Sequence, residues 1–488
     1  MNHLKRFLPL ALIVLTIASC KVGETYQGPE YPLPDKFYGS DKLQDSLFVG
    51  GDRIATINWR EFFNDTILIA LIDTALENNF DVQKIAKEVE IGMEMVKQSK
   101  ANLYPRLGAD PFRYIREYYG GNFNNHGSNR SRRNHGPDNI PTSFYTENLV
   151  HAISLQTSWE LDIWGKFRWQ KEAQLAEFME TQEFQKALQT ALISDIASTY
   201  FSMLMLKSQM TVAERNYELS QNTLRIVRLQ YEAGETTALA IQQTESQMLR
   251  AKALIPQLEK AYISQENRLN NLLGRAPQAI ESIHFLEQID FSQQYSAGVP
   301  IELVQNRPDV AAAEYNLIAS NARVGITQAM KYPALTIGAS TGFNSMRLDN
   351  LIDPVSSSFA ILNGALFQPI FQNRRLKTNH RIAIKEKEIA ELDFKETITT
   401  AVTEVSNALV NIEKLQEEYE IVEERLGITT QGLGNAGLLF QSGFANYLEV
   451  INAQEDFLQT NLDRVQLQML LALAKVELYR SLGGGWQD

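Results

Sequence analysis

The spacing of apolar residues sorts most of this chain into long helices. Ile398, Val402, Val405, Leu409, Ile412, Tyr419 and Leu426 follow one another by steps of three, four or seven residues. That near-heptad stepping, about 3.5 residues per turn, predicts left-handed coiled-coil packing. Leu448, Ile451, Leu458, Leu462, Val465, Met469, Val476 and Tyr479 repeat it. The same final segment carries a second seam through Val450, Phe457, Leu467, Leu471, Ala474 and Leu478, so it needs neighbours on two sides. A wall of helices meets that need better than an isolated pair. The longest helical stretches run from about Gly165 to Glu232 and from about Asn373 to Gln441. At ~1.5 Å per residue each is roughly 100 Å long, more than a globular core requires.

Two regions switch to a period of two. Leu335, Ile337, Ala339, Thr341 and Phe343 alternate with Thr336, Gly338, Ser340 and Gly342, and Ile153, Leu155, Thr157 and Trp159 alternate with Ala152, Ser154, Gln156 and Ser158. This is the pattern of strands with one greasy and one polar face. Less regular partners at Leu107 to Tyr119 and Ser356 to Phe367 complete two hairpins, about 105–159 and 333–368. A polar loop from Gly120 to Ser143 joins the first and Asn344 to Pro354 the second. Strands of about ten residues suit a membrane barrel, but four cannot close one, and open edges are not tolerated in lipid. Two chains would give a side-chain-filled barrel of eight strands, whereas three would leave a lumen, so a trimer is expected. The competing reading is an ordinary soluble hairpin packed on the helices.

The chain also repeats itself. Tyr231-Glu-Ala-Gly234 followed by Leu239 recurs as Phe440-Gln-Ser-Gly443 followed by Leu448, an offset of 209 residues (443 minus 234). Ile193, Ile196, Tyr200, Met203 and Met210 fall on Val402, Val405, Leu409, Ile412 and Tyr419, and Gly274 falls on Gly483. A weaker match, at its own offset of 228 (332 minus 104), pairs Tyr104-Pro105 with Tyr332-Pro333, each following a helical pattern and preceding a strand-like one. The expected division is a signal at 1–19, an anchored segment at 20–60, repeats at 61–274 and 307–482 around a linker at 275–306, and a tail at 483–488.

Composition narrows the class. Lys5 and Arg6, the apolar run Leu8 to Ala18 and small residues before Cys20 have the build of a secretory signal. Ile17-Ala18-Ser19-Cys20 fits a lipobox, with Cys20 taking the lipid after cleavage. Cys20 is the only cysteine among 488 residues, which excludes an intramolecular disulfide and leaves a free thiol as the alternative. Beyond it no apolar run approaches the roughly 20 residues of a spanning helix. The net charge of −12 argues against a nucleic-acid partner.

Catalytic chemistry has no support in the pattern. His126, His135, His151, His284 and His380 are scattered and form no HExxH pair, and no cofactor or metal set emerges. Gly483-Gly-Gly485 lacks the spacing and lysine of a phosphate loop and reads as helix termination. Met203 and Met210 sit at seam positions, so core packing accounts for them better than copper binding.

Several motifs resemble the TolC-like outer-membrane factor family, in its OprM/NodT-type lipoprotein branch. Cys20-Lys-Val-Gly23 with Tyr26 and Pro29 looks like that branch's start, and Trp159-Glu-Leu-Asp-Ile-Trp-Gly165 like its strand-to-helix junction. Arg307-Pro308-Asp309-Val310, with Ala312, Ala313, Glu314 and Leu317, is the most specific run, and Ser481-Leu-Gly-Gly-Gly-Trp486 resembles the ending. The resemblance implies a non-enzymatic homotrimer: a 12-stranded barrel in the outer membrane continued by a 12-helix periplasmic tunnel. It further implies a periplasmic adaptor and an inner-membrane pump, usually of the resistance-nodulation-division type, with docking tips at the turns around Gly234 and Gly443. The family's pore gate, a leucine followed by aspartate and arginine, falls on Leu448, Asn452 and Glu455. Only the leucine is kept, and Glu449 with Glu455 suggests an acidic gate instead. Gly427, Gly432, Gly434 and Gly437 precede this tip, marking the second hairpin as the softer one. Pro256 interrupts the first return helix, where a kink is expected. A secretion duct for proteins or peptides and a structural coiled-coil lipoprotein are the rival readings.

Overall fold

The computed structural model describes residues 21–29, 31–34, 37–38, 57–63, 65–120, 145–280 and 306–486. Cys20, the signal, the loop 121–144 and most of the expected linker lie outside them. The elements are α1 (Trp59–Phe63), α2 (Thr66–Asn78), α3 (Phe80–Ala101), β1 (Arg106–Gly120), β2 (Tyr145–Leu161), α4 (Lys166–Glu232) and α5 (Ala238–Leu272). They continue with α6 (Pro308–Ala329), β3 (Ala334–Ser345), β4 (Ser358–Phe367), α7 (Arg375–Gln441) and α8 (Tyr447–Ser481). The long helices and four strands stand where the two periodicities place them. Pro256, where a kink is expected, lies inside α5, which runs from Ala238 to Leu272.

Contacts divide the chain into two units. The first comprises Met1–Gln27, Met93–Ala176 and Ile318–Glu388 and contains the whole sheet. Its strands are antiparallel in the order β1-β2-β3-β4, so the two hairpins join through β2 and β3 and leave β1 and β4 as edges. Residues paired across such strands project to the same side. One face therefore carries the rows Leu107, Thr157, Ala339, Leu362 and Ala109, Leu155, Thr341, Ala360, then Trp159, Ile337, Gly364 and Leu161, Leu335, Leu366. The other carries Arg106, Ser158, Gly338, Asn363 and Gly108, Gln156, Ser340, Ile361. Leu107, Leu155, Leu362 and Leu366 are each more than half exposed. A soluble sheet would bury such a face. The register of β1 shifts between Asp110 and Arg113, a bulge at Pro111, whose missing N–H is tolerated on an edge strand.

The second unit, Gly28–Gly92, Glu177–Leu317 and Ile389–Asp488, is helical. Ile193, Ile196, Tyr200 and Met203 of α4 are buried, as are Ile398, Val405, Leu409 and Ile412 of α7. Both seams of α8 find neighbours: Ile451, Val465, Met469, Val476 and Tyr479 are buried on one, and Val450, Leu467, Ala474 and Leu478 on the other. Among the described residues no helix is long and apolar enough to cross a membrane.

Candidate functional site at the helical tips

The tips are two tight turns built alike. Gly234 and Gly443 adopt φ of 79° and 75°, the left-handed region that glycine enters without a Cβ penalty. At the first, the Glu235 N–H donates to the Gln230 carbonyl at 2.8 Å and the Gly234 N–H to Tyr231 at 3.0 Å. At the second, Phe444 donates to Leu439 at 2.9 Å and Gly443 to Phe440 at 3.2 Å. Both are Schellman caps, which satisfy the last carbonyls of α4 and α7. Each return helix then starts on a side-chain cap, Thr237 accepting from Ala240 N–H and Asn446 from Leu448 and Glu449 N–H. A Cβ on either glycine would meet no atom within 4 Å, so backbone conformation rather than crowding selects glycine.

The structure brings the two turns together. Val227 and Ala240 from the first hairpin cluster with Phe440 and Val450 from the second, flanked by Ile226, Ile241, Ala436, Ala445 and Tyr447. Two polar ties cross the same junction. The Tyr447 hydroxyl bonds to Gln243 Oε1, and Gln454 Nε2 donates to Thr223 Oγ1 at 2.8 Å in a buried setting. Sequence reasoning missed these four residues, because periodicity marks faces but not long-range polar pairs.

Leu448, Asn452 and Glu455, spaced by four and three, share the exposed face of the first turns of α8, with Glu449 beside them. Val450 and Gln454 point the other way and are buried. Gly427, Gly432, Gly434 and Gly437 all lie within α7, and a Cβ at any of them would meet nothing within 4 Å.

At the other end of the hairpins, the Arg307 motif finds its partners. Arg307 is 7% exposed and donates to Asp309 at 2.9 and 2.5 Å, to Glu404 of α7 at 2.7 Å and to the Ser481 carbonyl at 2.8 Å. Burial works against the Asp309 charge, but the Arg307 hydrogen bonds and charge outweigh it and hold the carboxyl below its ordinary 3.8. In the first half the same tie is made by Asn79, whose Nδ2 donates to the Leu272 carbonyl at 2.9 Å, without an added ion pair to the long helix.

In the sheet-bearing unit, the residues that follow Cys20 are pinned to the strand-to-helix junction. The Val22 N–H donates to the Trp164 carbonyl at 3.2 Å, and Trp169 Nε1 donates to the Val22 carbonyl at 2.7 Å. Lys21 Nζ sits 3.3 Å from the Trp169 ring centroid and 2.5 Å from Glu172. Gly165, at φ 79°, lets Lys21 approach, since a Cβ there would lie 2.9 Å from Lys21 Cγ. The Trp-Gly of the junction motif is thus a seat for the N-terminal segment.

A four-stranded sheet with an exposed greasy face and, in the other unit, long helical hairpins ending in capped tips fit the mixed helix-and-sheet make-up of an outer-membrane channel. The family profile "Outer membrane efflux protein" matches residues 71–275 and 299–484. The chain belongs to that family and is the outer-membrane channel of an efflux system. It is 26% identical over 476 residues to the cation efflux system protein CusC of Escherichia coli O6:H1, covering 98% of each chain. It is 28% identical over 494 residues to the toluene efflux pump outer membrane protein TtgF of Pseudomonas putida, covering 99% of this chain and 97% of that one. In fold it matches the open-state crystal structure of the Neisseria gonorrhoeae MtrE outer membrane channel, with a TM-score of 0.82 at 23% identity, over 96% of this chain and 99% of the other.

Proposed function

We propose that the chain is the homotrimeric, lipid-anchored exit duct of a tripartite efflux system. Three copies pool four strands each into a 12-stranded barrel, and their helical hairpins form the periplasmic tunnel. The observation that carries this reading is the sheet: its apolar face is exposed, and both edges lack strand partners among the described residues. Unpaired edges in lipid leave rows of N–H and C=O groups unsatisfied, so neighbouring copies must close them.

The duct is passive. A periplasmic adaptor docks at the tips around Gly234 and Gly443 and links them to an inner-membrane pump of the resistance-nodulation-division type, which supplies the energy. Cys20 carries the lipid, and the seating of Lys21 to Gly23 at the foot of the sheet supports that placement. The chain contains one structural unit twice. Supporting this, α4 and α7 have 67 residues each and α5 and α8 have 35 each, with bounds offset by 209 (375 minus 166, 447 minus 238). The helices α3 and α6, with 22 residues each, are offset by 228 (308 minus 80).

The gate lies on the exposed face of α8 at Leu448, Glu449, Asn452 and Glu455. Three copies of Glu449 and Glu455 make an acidic entrance in place of an aspartate-arginine lock, which favours cationic solutes. Replacing Glu449 and Glu455 by glutamine tests it: cation selectivity in planar bilayers should fall while single-channel conductance persists. Unchanged selectivity would remove the acidic gate from the account.

A further inference from the structure

We infer that the apolar face of the sheet carries a seat for an acyl chain, and that its occupant is the protein's own N-terminal lipid. This rests on the reading that Cys20 is acylated. The middle of the greasy face is hollow. Thr157, Ala339, Thr341 and Ala360 are small and adjacent across three strands, and Leu107, Leu155 and Leu362 stand around them, bordering an open depression of about 430 Å³. Protein surfaces that meet only mobile lipid need no such depression, and leucines at the floor positions would level it. Toward the foot of the sheet the hollow stays open on the β4 side, because Gly364 follows Leu362 on this face and a Cβ there would meet nothing within 4 Å.

The identity of the occupant follows from where the segment after Cys20 is held. Lys21, Val22 and Gly23 are held by Trp164, Gly165 and Trp169, immediately beyond the end of β2 at Leu161. Between Leu161 and Leu155 a strand rises about 20 Å. A long-chain acyl group starting at residue 20 spans that distance when extended. The tethered lipid thus meets the trough at an effective concentration that free phospholipids lack, and it needs no polar partner there. Seating one chain locks the N-terminal segment to the strands, so the lipid acts as a staple as well as an anchor.

The experiment feeds cells a diazirine-bearing fatty acid, extracts the full-length protein from outer membranes, irradiates it and maps the adducts by mass spectrometry. The expected result is an N-terminal lipopeptide cross-linked to the segments containing Thr157, Ala339, Thr341 and Ala360. That cross-link should be lost in Ala360→Phe, which fills the hollow, and kept in Ala360→Ser. An acylated Cys20 whose label falls on the helices, or sheet adducts carrying phospholipid alone, would overturn the seat while leaving the anchor intact. An unmodified Cys20 thiol would overturn the inference together with the lipidation on which it rests.

Discussion

Arg307 is the residue whose environment is most sharply specified. Its guanidinium satisfies two carboxylates and a helix-terminal carbonyl at once, so Arg307→Leu leaves Asp309, Glu404 and Ser481 without their donor. Both carboxylates keep some solvent, which places the loss at about 2 kcal/mol, below that of a fully buried pair. A lowered thermal midpoint of the detergent-solubilised protein checks this. The same cluster sets an acid limit. Because the folded Asp309 carboxyl lies below its ordinary 3.8, its contribution is fully present above that value and is lost as pH falls through the depressed one. Arg307→Leu should therefore flatten the stability profile below pH 3.8, and an unchanged acid limb would contradict the assignment. Glycines separate by backbone conformation in the same way. Gly443→Ala, at φ 75°, should destabilise by ~1–2 kcal/mol, whereas Gly434→Ala, inside α7, should stabilise by about 1 kcal/mol. Paired thermal melts of the two variants decide it.

At the scale of elements, the second hairpin is tied to the first by two side-chain bonds and a small apolar cluster. Gln454→Leu combined with Thr223→Val removes the buried tie without leaving an unpaired group. The expected outcome is a higher open probability in planar bilayers with the assembly intact. Replacing Gly427, Gly432, Gly434 and Gly437 by alanine should act oppositely, stiffening α7 and reducing transport without loss of assembly. Much of this was legible in the sequence because heptads and alternation are direct consequences of burial: the seams of α7 and α8 and the greasy rows of β2 and β3 could be read off. The left-handed turn that precedes α7 could not. Asn373 and Arg374 take φ of 48° and 63°, making the left-handed turn that Gly165 makes before α4, and no glycine marks it. The bulge at Pro111 was hidden by the irregular alternation of β1. The ties Tyr447–Gln243 and Gln454–Thr223 join residues more than 200 positions apart, where local patterns carry no information.

At the scale of the whole molecule, the proposed trimer answers an incompleteness: among the described residues the sheet ends in two edge strands, β1 and β4, and the proposal assigns their partners to neighbouring copies. Cys20 and the loop from Gly120 to Ser143 were singled out in the sequence, but Cys20 and residues 121–144 lie outside the described residues, so their roles rest on chemistry rather than geometry. The measurement that bears most directly on the central claim is the oligomeric mass of full-length protein extracted from outer membranes, followed by single-channel conductance of the same particles. The account predicts a particle of three copies with a small, mostly closed conductance that rises when Leu448, Asn452 and Glu455 are replaced by alanine. A single-copy particle, or one that conducts nothing with or without those substitutions, would contradict it.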